Sequence, residues 1–238
     1  MSDFDLGRQM SRIDRFTYRF FWSLLWLVVK AWFRFRVVGG ENLPKDEAYI
    51  LSPVHRSYLD TPVSGMVTSR RLRFLGKESL WNSRFGGRFL TIVGGFPVER
   101  GTADRAALRA CQEVLERGEP MVMFPEGTRR YGPVVLAEDM HAGPAFVALR
   151  AGVPIVPMGI AGTDHAMPGG SAFIRPTKVY MVVGEPLRPP VVEGRVPRRV
   201  VDEFTEELRQ RMQMVFDEAQ RLAGRPALPR PPDVPDGD

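Results

Sequence analysis

The chain has 238 residues, 44% hydrophobic and 26% charged, enough for one globular domain with a real core and too apolar for a disordered chain. Its single cysteine, Cys111, excludes an intramolecular disulfide and a thiolate metal cluster, and it fits a reducing compartment such as the cytoplasm. The net charge of +5 is concentrated, because residues 1–40 hold seven basic side chains against three acidic ones, and such a stretch points to an anionic surface.

The segment Phe16–Phe35 reads FTYRFFWSLLWLVVKAWFRF. Its uncharged part, Phe20–Val29, is about half of the roughly 20 residues that a spanning helix needs. A signal peptide would carry small residues where Trp32, Phe33 and Phe35 stand. On a helix, Arg8, Arg12, Arg15, Arg19, Ser23, Lys30 and Arg34 share one narrow band. Phe16, Phe20, Phe21, Leu24, Leu25, Leu27, Val28 and Phe33 form a broad face outside it, with Trp26 near the edge. That is the pattern of a helix lying in a membrane interface. An ordinary amphipathic helix packed on the core is the alternative. Bulky aliphatics between the charges argue against nucleic acid. Residues 1–38 are therefore expected to be a membrane-interfacial helical segment, peripheral on the cytoplasmic face.

Gly39-Gly40 closes this region, and Glu41–Asp46 reads as a turn. Ala48–Leu51 is a short apolar strand ending at Ser52-Pro53. A helix starts at Thr61-Pro62, with the threonine as cap and the proline in the first turn. Arg73–Leu75 is a strand candidate, and Gly94-Gly95 reads as a glycine-rich turn. Ala103–Arg117 has helical periodicity and stops at Gly118. Met121–Phe124 is a buried-type strand, Ala145–Ala151 is helical, and Val153–Ile160 and Lys178–Val183 are strands. Val200–Leu222 is a last amphipathic helix. Strands alternating with helices predict an α/β domain over residues 39–224, a mixed, largely parallel sheet flanked by helices. The Pro-rich residues 225–238 are expected to be a disordered tail.

Two blocks carry chemistry. In His55-Arg56-Ser57-Tyr58-Leu59-Asp60 a continuous helix would hold His55 and Asp60 far apart around its axis, whereas a turn before a helix start brings them together. A carboxylate accepting from one imidazole nitrogen then leaves the other as a base. A His-Asp pair at this spacing is by itself more often structural than catalytic. Phe124-Pro125-Glu126-Gly127-Thr128-Arg129-Arg130 follows an apolar strand, where a glycine, a hydroxyl and two guanidiniums suit phosphate oxygens; a surface turn with solvated arginines is the alternative. The backbone amides near Gly127 are candidate oxyanion donors. Ser57 is a rival nucleophile, although no Gly-x-Ser-x-Gly motif is present. His141 and His165 read as surface or packing residues, and three dispersed histidines give no metal site.

The order His-x-x-x-x-Asp at His55–Asp60, Gly-x-x-x-x-Arg at Gly95–Arg100, Phe-Pro-Glu-Gly-Thr-Arg at Phe124–Arg129 and Val-Pro-Ile-x-Pro at Val153–Pro157 resembles the glycerolipid acyltransferase family, above all the 1-acylglycerol-3-phosphate acyltransferases. The resemblance runs from about Asn42 to about Glu185. It implies His55 as general base with Asp60 as its orienting partner. It further implies Arg100 and Lys77 at the acceptor phosphate, with Glu126, Gly127, Thr128 and Arg129 shaping the acceptor site and Pro154 and Pro157 structural. The expected reaction moves a fatty acyl group from an acyl thioester, acyl-CoA or acyl-carrier protein, to a hydroxyl of a glycerol-phosphate precursor, without a cofactor or metal. Its partners are membrane lipids, the thioester donor and a lysophospholipid acceptor. Another lysophospholipid or a glycolipid as acceptor, and a lipid hydrolase, remain alternatives.

Overall fold

The structure, a computed structural model, describes residues 12–98 and 105–232. Among these residues seven strands form one sheet: β1 (Arg36–Val38), β2 (Ile50–Pro53), β3 (Arg73–Lys77), β4 (Gly95–Val98), β5 (Met121–Val122), β6 (Ile155–Ala161) and β7 (Tyr180–Val183). Their order is β1-β7-β6-β2-β5-β3-β4. The five strands from β6 to β4 run parallel, and β7 lies antiparallel to β6 with β1 parallel to β7. This is the expected mixed, largely parallel sheet. Every residue of β2 and β6 is buried. Strands covered on both faces read as continuous apolar runs rather than alternating ones, as β6 does.

The helices are α1 (Arg12–Phe33), α2 (Asp60–Ser64), α3 (Arg84–Ile92), α4 (Arg105–Glu116), α5 (Gly143–Ala151), α6 (Thr163–Ala166) and α7 (Arg198–Ala223). In α7 the buried Val201, Phe204, Leu208, Met212 and Phe216 recur every three or four residues and make one stripe against the sheet. Gly224 ends the helix in the left-handed conformation, at φ 74°. Beneath α7, a Cβ on Gly159 of β6 would lie 2.2 Å from the Val215 carbonyl oxygen, so glycine sets how closely helix and strand approach.

Three segments are placed more closely by the structure. The glycine-rich turn at Gly94-Gly95 leads straight into β4, and Pro97 is tolerated there because β4 is an edge strand. The segment read as 1–38 does not stop short of the domain, since its last three residues, β1, pair with β7. Of the tail 225–238, residues 225–232 are described and hydrogen-bond to the domain, and 233–238 lie outside the described residues. Leu228 N–H donates to Asp164 Oδ2 at 2.6 Å, Ala227 N–H donates to Gln220 Oε1 at 2.8 Å, and Gly132 N–H donates to the Leu228 carbonyl at 2.8 Å. Prolines lower the entropy lost when such a stretch is immobilised, so a few backbone hydrogen bonds suffice to hold it.

On α1, Ile13, Phe16, Phe20, Leu24 and Leu27 are exposed along one face. The body-facing side packs Phe21 edge-to-face on Phe89 and donates Trp22 Nε1–H to the Gly65 carbonyl. Among the described residues no helix is long and apolar enough to cross a membrane.

Candidate active site

The parallel strands deliver the sequence blocks to one edge of the sheet. His55 follows the carboxyl end of β2, the Phe124–Arg130 turn follows β5, and Thr163 follows β6. Ligands of open α/β sheets collect at this edge.

The chain turns after Pro53, and Asp60 opens α2. His55 Nδ1 lies 3.1 Å from Asp60 Oδ2, so the turn brings the pair together as expected. The carboxylate is fully enclosed. Its Oδ2 also accepts from the backbone N–H groups of Arg56 (2.6 Å) and Ser57 (2.7 Å), and Oδ1 accepts from the Thr163 hydroxyl at 2.6 Å. Backbone amides are obligate donors, so Oδ2 is an acceptor and the Nδ1–H of His55 points to it. The lone pair is thereby left on Nε2. The imidazole stacks on Phe124, with centroids 4.2 Å apart, and keeps 14% of its side chain accessible.

Glu126 stands behind His55. It is fully buried; Oε2 takes the His55 backbone N–H at 2.7 Å, and Arg56 Nη1 reaches both oxygens at 2.7 and 2.8 Å. Arg56, also buried, further donates to the carbonyls of Gly132 and Val134. Sequence reasoning passed over Arg56 and Thr163, because their partners are 70 and 103 residues away. Arg130 N–H closes the assembly by donating to the His55 carbonyl at 2.8 Å.

Gly127 adopts φ +66°, and a Cβ there would lie 2.6 Å from the His141 ring, so the turn requires glycine. His141 therefore borders the site, which its sequence context did not indicate. The Gly127 and Thr128 amides donate within the turn, to the Phe124 and Glu126 carbonyls. Arg129 is nearly buried, lies 3.5 Å from the Tyr58 ring centroid and donates Nη2–H to Tyr58 Oη at 2.7 Å. Ser57 is buried, donating its hydroxyl to the Met167 carbonyl and accepting from Leu59 N–H, which occupies it structurally. Lys77 is the last position of β3, paired in register with Val98, and only its backbone is described. Arg100 lies outside the described residues.

Next to this edge is an apolar cavity of about 590 Å³. Tyr18, Phe21 and Trp22 of α1 wall it, with Thr61 and Pro62 of α2 and Phe74 of β3. Thr61 directly follows Asp60, so α2 is shared between the polar pair and the cavity.

A family-wide sequence profile described as Acyltransferase matches residues 34–161. The 1-acyl-sn-glycerol-3-phosphate acyltransferase of Bacillus subtilis is 24% identical over 188 residues, which cover 79% of this chain and 90% of that protein. A 1-acyl-sn-glycerol-3-phosphate acyltransferase of Chlamydomonas reinhardtii is 31% identical over 66% of this chain, which spans only 48% of that longer relative. The crystal structure of the 1-acyl-sn-glycerophosphate (LPA) acyltransferase from Thermotoga maritima superposes with a TM-score of 0.66 at 28% identity, covering 91% of this chain and 85% of that one.

Proposed function

The chain belongs to the acyltransferase family, and from that premise we propose that it transfers a fatty acyl group from an acyl thioester to the free hydroxyl of 1-acylglycerol-3-phosphate. The observation that carries this reading is the His55–Asp60 pair, held at 3.1 Å beside an apolar cavity. His55 Nε2 takes the proton of the acceptor hydroxyl as its oxygen attacks the thioester carbonyl. The new C–O bond forms, the tetrahedral intermediate collapses with cleavage of the C–S bond, and the imidazolium returns its proton to the departing thiolate. Asp60 keeps the proton on Nδ1 and stabilises the imidazolium. The thioester is acyl-CoA or acyl-carrier protein, and its chain lies in the cavity, whose wall is nearly all aliphatic and aromatic.

Arg129 and Arg100 receive the acceptor phosphate, assisted by Lys77 and the Gly127-Thr128 turn. Stacking on Tyr58 holds the Arg129 guanidinium in one plane, the geometry a bidentate phosphate contact needs. Glu126 acts through His55 and Arg56 rather than on substrate. The acceptor resides in a bilayer, and the exposed apolar face of α1 rests on its cytoplasmic surface, with Arg19 and Lys30 meeting anionic headgroups.

The test is radiolabelled acyl-CoA with the wild type and His55→Ala, offered 1-acylglycerol-3-phosphate, a phosphate-free monoacylglycerol and a second lysophospholipid. The wild type is expected to make phosphatidic acid, and His55→Ala to lose about 10³-fold in rate without losing its fold. Near-normal turnover by His55→Ala, or free fatty acid as the wild type's sole product, would sink the proposal.

A further inference from the structure

The chain between α6 and β7 runs Met167–Val179, reads MPGGSAFIRPTKV, and contains no acidic residue. Phe173 is 79% exposed and Ile174 46%, and the Arg175 and Lys178 side chains are exposed beside them. Single exposed apolar residues are ordinary on protein surfaces. Two in succession at the tip of a loop, flanked by cations only, are a different arrangement, one suited to an anionic interface with an apolar interior.

The loop is built in place. Met167 accepts the Ser57 hydroxyl at 3.3 Å, and Ser57 lies between His55 and Asp60 in the sequence of the active-site turn. Arg175 N–H returns to the Ala166 carbonyl at 2.8 Å, and Ser171 N–H donates to the Pro168 carbonyl at 2.9 Å. At the far end, Val179 N–H donates to the carbonyl of Phe33, the last residue of α1, at 3.0 Å. Because β7 is antiparallel to β6, with Tyr180 opposite Ala161, the loop emerges at the carboxyl edge of the parallel strands. That is the edge holding His55. The corner after α1 adds exposed Trp32, Arg34 and Arg36 to the same region.

We infer that residues 167–178 form a second membrane contact, a loop that inserts Phe173 and Ile174 among anionic lipids at the rim of the active site. The inference rests on the reading that the acceptor is a bilayer lipid. It extends the apolar face of α1 to a second, separate point, so that the site edge is oriented toward the membrane instead of the chain being merely tethered by one helix. An acidic carrier protein would use the same cations, yet it offers no apolar interior for the exposed Phe173-Ile174 tip.

The experiment uses the full chain and co-sedimentation with phosphatidylcholine vesicles, with and without phosphatidylglycerol. Phe173→Ser/Ile174→Ser should weaken binding to both vesicle types by about tenfold, since two partly inserted apolar side chains are lost. Arg175→Gln/Lys178→Gln should weaken binding several-fold to phosphatidylglycerol vesicles only, and added salt should erase that difference. Both variants should turn over a short-chain, water-soluble acceptor with acyl-CoA as the wild type does. Vesicle binding by both variants equal to the wild type would overturn the inference. Unchanged vesicle binding with activity lost only when acyl-carrier protein is the donor would also overturn it and make the loop a donor-protein contact. Failure of the wild type to acylate any acceptor, with the vesicle effects intact, would count against the catalytic reading alone.

Discussion

Asp60 collects four donors on two oxygens: the His55 ring and two backbone amides on Oδ2, and the Thr163 hydroxyl alone on Oδ1. The backbone donors can be removed only by proline, which would also re-set the turn, whereas Thr163 is open to a conservative substitution. Thr163→Val keeps the side-chain shape and leaves Oδ1 buried without its donor, a loss of about 1–3 kcal/mol if the carboxylate stays in place. The carboxylate relieves that cost by rotating away from His55. The expected outcome is a fall in kcat of roughly tenfold with both KM values nearly unchanged, and recovery in Thr163→Ser, which restores the hydroxyl. Steady-state kinetics on the three proteins check this. A Val variant with full kcat would mean that Thr163 only fills space. Arg56 repeats the logic one step out, since it pairs with the buried Glu126, which in turn holds the His55 amide. An ion pair removed from water in this way is more persuasive as a device for positioning than as a source of stability.

Among the elements, α7 on β6 is the contact that sets the geometry of the rim. The Gly159 Cβ that a mutation would add meets the Val215 carbonyl oxygen at 2.2 Å, its carbon at 2.5 Å and the Phe216 Cα at 2.7 Å. All three are backbone atoms, so no side chain can swing aside. Gly159→Ala must push the helix off the sheet and is expected to lower unfolding free energy by about 3 kcal/mol, measured by urea denaturation. Activity should fall too, because Thr163 stands four positions beyond Gly159, just past the end of β6. A fully stable, fully active Gly159→Ala would contradict the close packing described for these elements. The same scale explains β4, Gly95–Val98, whose glycine and proline carry no strand signal. Its place at the sheet edge, where one set of backbone groups needs no partner, makes the proline harmless.

For the molecule as a whole, Cys111 is a natural reporter. It is fully enclosed on α4, and burial pushes its thiol up to about 12 from an ordinary 9.0. Below that pH the thiol stays protonated in the native state and is a poor nucleophile, whereas the unfolded chain exposes an ordinary one. At pH 8 iodoacetamide should therefore modify the native protein at least about a hundredfold more slowly than the denatured one, at a rate that follows opening of the fold. Mass spectrometry over a denaturant series reads it. Native-state labelling as fast as a free thiol would mean that α4 does not seal the core.

The sequence by itself determined the class of sheet, the order of the motifs and the His55–Asp60 pair, because each depends on local spacing. Continuous apolar runs mark strands buried on both faces, and a His and an Asp five apart separated by a turn-forming stretch can meet without help from distant chain. Tertiary structure decided which groups surround that pair. Thr163 reaches Asp60 across 103 residues and Arg56 reaches Glu126 across 70, distances over which no periodicity carries a signal. It also buried Glu126 against Arg56 and the His55 amide, and brought residues 225–232 onto the loop at Gly132. The physical reason is the same in each case. A buried polar group must find a partner, and which partner it finds is settled only when the strands have brought their carboxyl ends together.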